Sequence, residues 1–170
     1  MQIPDRLAGA NIYDGADKLI GVHADVTLPN LEAKGDALNG PGILGEINTS
    51  APGQFGSTTL QITFRTVTEK MAAMAATQNF RTLTIRCDVQ MLDTTNGVVH
   101  APLKVICKGL PGGINLGKAT RGSAMDAVFT LEVTYIKVDL SGKSLLELDK
   151  LNEVYNIDGV DQLAAIRANT

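Results

Sequence analysis

The stretch Gly112-Gly113-Ile114-Asn115-Leu116-Gly117-Lys118-Ala119 matches a phosphate-binding loop at every position but the last. That position needs a hydroxyl for the metal, and Ala119 has none. Such a loop must also open a helix whose N-terminus faces the phosphate, whereas Arg121-Gly122-Ser123 leads into a strand pattern. The residues read as a glycine-rich turn. His23 and His100 are the only imidazoles, each on the polar phase of a strand pattern with no Cys or carboxylate at ligand spacing. A zinc site needs about four ligands, and they cannot be assembled here. No Ser sits in a nucleophile-elbow context, and Asp36, Glu46 and Asp88 stand as single polar-face residues rather than a paired acid and base. The expectation is a protein with no catalytic residue, no cofactor and no metal, and hence no enzyme.

Composition narrows the remaining classes. The 170 residues are 44% apolar and 19% charged, which suits one globular domain over 1–170 with a real core. A net charge of −3 gives no basic excess to neutralise a phosphate backbone, so sequence-independent nucleic-acid binding is not expected. Trp is absent and aromatics are 4%, which removes the usual stacking platforms. No run of 18 apolar residues occurs, and the opening MQIPDRLAGAN lacks a basic region followed by an apolar one, so neither a membrane anchor nor a signal peptide is expected.

The elements are mostly strands. Ile20, Val22, Ala24, Val26 and Leu28 alternate with polar neighbours until Pro29 ends the run. Leu60, Ile62 and Phe64 alternate with Thr59, Gln61, Thr63 and Arg65. Leu83, Ile85, Cys87, Val89 and Met91 alternate with Thr82, Thr84, Arg86, Asp88 and Gln90. The partner of that last strand holds Val99, Ala101, Leu103, Val105 and Cys107. Both apolar sets are odd-numbered, so facing pairs must sum to an even number. A Thr95-Asn96-Gly97 loop closing Thr94 on Val98 meets that condition and leaves the two thiols diagonal, too far apart to bridge. Between the first two of these strand pairs, Thr66-Val67-Thr68-Glu69 has capping-box spacing, and Val67, Met71, Met74 and Ala75 follow at helical spacing. Gly109 to Ser123 reads as a loop. The strand after it holds Ala127, Phe129, Leu131, Val133 and Tyr135 in odd phase, then Ile136, Val138 and Leu140 in even phase, which predicts a bulge or a strand crossing between sheets near Tyr135. Asp158 is placed to cap a final helix carrying Val160, Leu163, Ala164 and Arg167.

From Gly35 to Gly56 the alternation collapses: six glycines and two prolines fall in 22 residues. A loop of this length is usually functional or disordered in isolation. It still carries Leu38, Ile43, Leu44, Ile47 and Phe55, which either dock on a partner or pack back on their own domain.

Two end blocks carry a resemblance. The first contains Asn11-Ile12-Tyr13, Gly15, Gly21-Val22, Val26-Thr27-Leu28-Pro29 and Leu31. The second contains Gly142-Lys143, Leu145, Glu147, Asp149, Asn152, Asp158-Gly159-Val160-Asp161, Leu163, Arg167 and Asn169. In these the chain resembles the major tail tube proteins of contractile-tailed bacteriophages and phage-tail-like bacteriocins, with Asp158-Gly159 standing where Asn-Gly is expected. The resemblance implies a mainly β fold of two packed antiparallel sheets, β-sandwich or barrel-like, with a short flanking helix and a C-terminal helix.

It further implies a structural subunit whose hexameric rings extend one sheet around a channel and stack into a tube. The implied partners are further copies of itself, the tail sheath protein, baseplate and tail terminator proteins, and a tape measure protein or DNA in the lumen. Its place would be the virion tail or tailocin particle, assembled in the bacterial cytoplasm and released by lysis. In that frame the polar set Thr59, Gln61, Thr63, Arg65, Thr82, Thr84, Arg86, Asp88 and Gln90 is expected to face the lumen. The loop at about 35–56, with Leu38, Ile43, Leu44, Ile47 and Phe55, is expected to stack the rings. Two other architectures fit the same patterning: the tube of a type VI-like secretion system, and a monomeric ligand-binding β-barrel.

Overall fold

The computed structural model describes residues 1–76 and 78–170 of the chain. The fold is mainly β and antiparallel, not closed into a barrel, and consistent with a β-sandwich. In chain order the strands are β1 (Gln2–Asp14), β2 (Asp17–Lys18), β3 (Val22–Thr27), β4 (Ala33–Leu38), β5 (Ile47–Phe55) and β6 (Thr59–Phe64). Helix α1 (Glu69–Ala75) precedes β7 (Arg81–Asp93), β8 (Gly97–Asn115), β9 (Ala127–Leu140), β10 (Lys143–Asp149), β11 (Val154–Ile157) and β12 (Val160–Asp161), and α2 (Ala164–Arg167) closes the chain.

One long sheet runs β12-β11-β10-β9-β8-β7-β1-β2, and β6 joins it through β9 and carries β3 on its far side. The strand that makes this possible is β9. Its first half, Ala127 to Glu132, pairs with β6, and its second half, Tyr135 to Leu140, pairs with β10. Against β8 the register slips between Val133, opposite Gly109, and Tyr135, opposite Lys108, leaving Thr134 as the extra residue. The bulge expected near Tyr135 is therefore real, and it does what a bulge must: buried positions pass from Phe129, Leu131 and Val133 to Ile136. Gly109 is required at this point, because a Cβ there would lie 1.9 Å from the Glu132 carbonyl oxygen.

The core shows how the sheet folds. Leu60, Ile62 and Phe64 of β6, Leu83 and Ile85 of β7, and Phe129 and Leu131 of β9 belong to one apolar cluster and are essentially inaccessible. Helix α1 covers only part of it, with Met71 and Met74. Strands with one apolar face can be fully buried only if another layer covers that face. The β6 wing and the β7 wing are therefore each other's cover, and their polar faces point away from a shared core. Each fully buried Leu, Ile or Phe contributes about 1.5–3 kcal/mol, so this cluster is the main stabilising term.

Several local expectations are corrected. The β7–β8 hairpin closes Asp93 on Gly97, two residues out of the expected register, with Cys87 opposite Leu103 and Cys107 opposite Leu83. The parity argument holds, but the turn is set by a side chain. The Asp93 carboxylate accepts the N–H groups of Thr95 and Asn96, while Gly97 takes the positive φ that closes the loop. Those hydrogen bonds hold the Asp93 carboxyl below its ordinary range. Both cysteines are buried and free, and four strand positions separate their levels, about 13 Å at strand rise.

Helix α1 is capped by Thr68, not Thr66, because Thr68 is extended and its hydroxyl accepts from the Met71 N–H. Val67 consequently lies outside the helix and is exposed. Asp158 is not a cap either. With Gly159 it forms the two-residue turn between β11 and β12, both residues at positive φ. The C-terminal helix shrinks to the four residues of α2. Strand β8 runs on to Asn115, well into the stretch expected as a loop, because β9 supplies a ladder that Pro111 and the glycines could not announce. In β3, Val22 and Val26 pack on the core whereas Ile20 and Leu28 are exposed, and the Ala24 side chain lies outside what the structure describes.

Candidate assembly surfaces

The expected loop at 35–56 is a hairpin. Strands β4 and β5 pair from Leu38 opposite Ile47 to Ala33 opposite Phe55, as a two-stranded sheet separate from the main one. A glycine is needed at 35, since a Cβ there would sit 2.6 Å from the Thr49 carbonyl oxygen. Toward the tip the apolar side chains are presented outward: Leu44 is fully exposed, Leu38 and Ile47 are half exposed, and Ile43 is half-buried. Phe55 is different. It packs on the core and meets Tyr155 edge-on, with ring centroids 5.0 Å apart, so it anchors the hairpin to its own subunit.

The stem of this hairpin is bolted to the body. Glu132 accepts from the Ser57 hydroxyl at 2.8 Å and from the Thr58 N–H at 3.3 Å. Lys150 donates to the Gly56 carbonyl and to the Thr58 hydroxyl, both at 2.9 Å. Burial depresses the Lys150 pKa, and the Glu132 charge works against that shift. Leu163 fills the space beside Gly53, which is at positive φ. The C-terminal block thus holds β5 at three levels, while the tip of the hairpin stays free to touch something else.

The nine polar residues assigned to the lumen are placed on two different surfaces. Thr59, Gln61 and Thr63 alternate with the buried Leu60, Ile62 and Phe64 on the β6 wing, and Arg65 follows that strand and is exposed. Thr82, Thr84, Arg86, Asp88 and Gln90 alternate with the apolar positions of the β7 wing. Because the two wings cover one core from opposite sides, these sets face apart and are not brought together.

Their chemistry differs as well. On the β7 wing Arg86 lies over the Tyr13 ring at 4.9 Å, Asp88 meets His100 at 2.7 Å, and Gln90 donates to Asp5. The β6 wing is dominated by hydroxyl and amide groups. Sequence reasoning missed its continuation on β9, where Thr130 stands opposite Gln61 and Glu132 opposite Thr59. The signal was available as the even phase of a strand whose odd phase is apolar. It also missed Ile3, Leu92 and Val98, an exposed apolar stripe across β1, β7 and β8.

Nothing in the geometry assembles a reactive site. Among the described residues no group of three His, Cys, Asp or Glu could hold a metal. Burial pushes the Cys107 thiol up to about 12, which keeps it protonated and inert. The glycine-lysine stretch passes from the end of β8 into a turn, where Asn115 accepts from the Gly117 N–H and the Lys118 N–H bonds the Met125 carbonyl. The next element is β9, not a helix.

The comparisons with known proteins agree with this reading of assembly surfaces. The family described as phage tail tube protein FII matches residues 4–170. The chain is 26% identical to the tail tube protein of Escherichia phage P2, over 99% of this chain and 98% of that protein. It is 24% identical to the major tail tube protein of Serratia phage KSP20, over 94% of this chain and 91% of that protein. A match spanning the whole fold, from the start of β1 to the residue after α2, leaves one assignment: the chain belongs to the phage tail tube protein FII family, structural components of the virion tail.

Proposed function

We propose that this protein is the inner-tube subunit of a contractile tail. Six copies close into a ring, and rings stack into a hollow tube inside the sheath. Contraction of the sheath drives the tube through the target envelope, and the tube conducts DNA where the particle is a phage. The role is mechanical, with no catalytic step. The observation that carries this reading is the β4–β5 hairpin, a separate sheet bolted at its stem and presenting Leu38, Leu44 and Ile47 to solvent. Apolar side chains held outward on a braced arm suit a contact with the adjacent ring.

Only one wing can line the channel, and the β6 wing is the better candidate. Threonine and glutamine side chains give a wet, nearly neutral wall. A wall of that kind does not hold a passing polyanion, whereas lysine and arginine would bind its phosphates through counterion release. Thr59, Gln61 and Thr63, with Thr130 and Glu132, therefore face the lumen. The charged β7 set, Thr82 to Gln90, faces outward toward the sheath. Sterile ends, baseplate and terminator contacts fall at the two ends of such a tube.

Sedimentation of the purified protein tests the assembly directly. Rings and longer particles should appear as concentration rises. A single species at the 18.0 kDa monomer mass across the whole range would overturn the proposal.

A further inference from the structure

The β6 wing ends in two open strand edges. Strand β3 has β6 on one side and, among the described residues, no ladder partner on the other. Strand β8 loses β7 after Gly109, opposite Arg81, yet continues with β9 alone to Asn115, opposite Val128. The wing is thus four strands wide, in the order β3, β6, first half of β9, last part of β8. Its outer members are matched in length: Val22–Thr27 on one side, Leu110–Asn115 on the other.

We infer that the β3 edge of one copy pairs with the Leu110–Asn115 edge of the next copy, and that this junction closes the ring. The inference rests on the tube reading above. Direction is the first argument. Each neighbour in the wing is antiparallel, so β3 and β8 run opposite ways. Rotation about a ring axis leaves directions along that axis unchanged, so β3 of one copy meets β8 of the next antiparallel. With four strands per copy the alternation continues unbroken around any ring.

Side chains give the second argument. Open edges are usually blunted by charge, yet these carry exposed apolar residues: Ile20 and Leu28 flank β3, while Leu110, Ile114 and Leu116 lie along the β8 end. Ile114 is opposite Phe129 and shares its phase, as Val22 and Val26 share the core phase of β6. Joining the edges would therefore carry the core from one copy into the next. A groove of about 610 Å³ already runs beside β3, between it and the open edge of β1, with Ile20, Val22 and Val26 on one wall and Leu7 and Ile12 on the other.

Charge is the third argument. Ile20 to Glu32 contains Asp25 and Glu32 with no Lys or Arg, whereas Gly109 to Gly122 contains Lys118 and Arg121 with no Asp or Glu. The two edges attract each other and repel themselves, which favours the heterologous contact a ring needs over a two-fold dimer.

The test uses assembled protein and a short thiol cross-linker. Copies carrying Asp25→Cys, or Thr27→Cys as a second choice, are mixed with copies carrying Asn115→Cys or Leu110→Cys. The native thiols, Cys87 and Cys107, are buried, and unsubstituted protein serves as the blank. Expected are cross-linked dimers in the mixtures and none in any single-variant assembly. Cross-linking among Asp25→Cys copies alone would mean that β3 meets β3 and would overturn the inference. Normal tubes with no cross-link in any mixture would overturn it too, while leaving the tube reading intact. Unsubstituted protein that never forms rings would sink both.

Discussion

Tubes are expected to stop growing when Leu38, Leu44 and Ile47 are replaced together by Ser, while the subunit keeps its fold. All three side chains are exposed in the free subunit, so their loss removes little from its core. Surface changes of this kind usually alter stability by less than about 0.5 kcal/mol each. In a stack of rings the same side chains would be buried, each contributing about 1.5–3 kcal/mol. Six hairpins act together at every ring junction, so the loss multiplies and growth becomes uncooperative. The strand signal in circular dichroism should be unchanged and long particles should vanish from micrographs. Normal tubes from the triple variant would remove the hairpin from the stacking contact. An unfolded variant would instead place these residues in the subunit core.

A second large effect is expected from Phe129→Ala. Phe129 is fully buried on the part of β9 that both wings share, opposite Ile62 of β6 and Ile114 of β8. Emptying such a site costs about 3–5 kcal/mol, because the lost transfer energy is joined by an unfilled cavity. Domains of this kind hold only about 5–15 kcal/mol in total. The urea midpoint of the variant should fall far below that of the parent, with an unchanged slope. Thr130→Ala, one residue along on the polar face, should barely move it. A small shift for Phe129→Ala would mean that the two wings do not share one core there.

Much of this was legible in the residues. The alternation on β6, β7 and β9 gave the core-facing side chains correctly, because one-sided burial imposes period two whatever the topology. The phase change near Tyr135 announced the bulge at Thr134 for the same reason. Parity restricted the β7–β8 register but could not select it. The choice fell to a single Asp93 side chain folding back on two N–H groups, a contact that alternation does not encode. The β4–β5 hairpin was missed since Gly, Pro and Asn carry little strand propensity, and its pairing is stabilised by the braced stem.

Surfaces were harder than strands. Two polar faces of like composition, on β6 and β7, read as one surface in the sequence. Only the folding of the sheet over a common core separates them. The resemblance in the two end blocks located the family, while the candidate ring edges, β3 and the end of β8, depend on where partner strands stop. That is a property of pairing, which no single segment reveals.

The most direct measurement is a cryo-electron microscopy reconstruction of particles grown from the purified protein. The account predicts a hollow tube of stacked six-membered rings, with Thr59, Gln61 and Thr63 on the channel wall and the tip of the β4–β5 hairpin against the neighbouring ring. Particles that remain compact monomers, or a tube whose channel is lined by Arg86, Asp88 and Gln90, would contradict it.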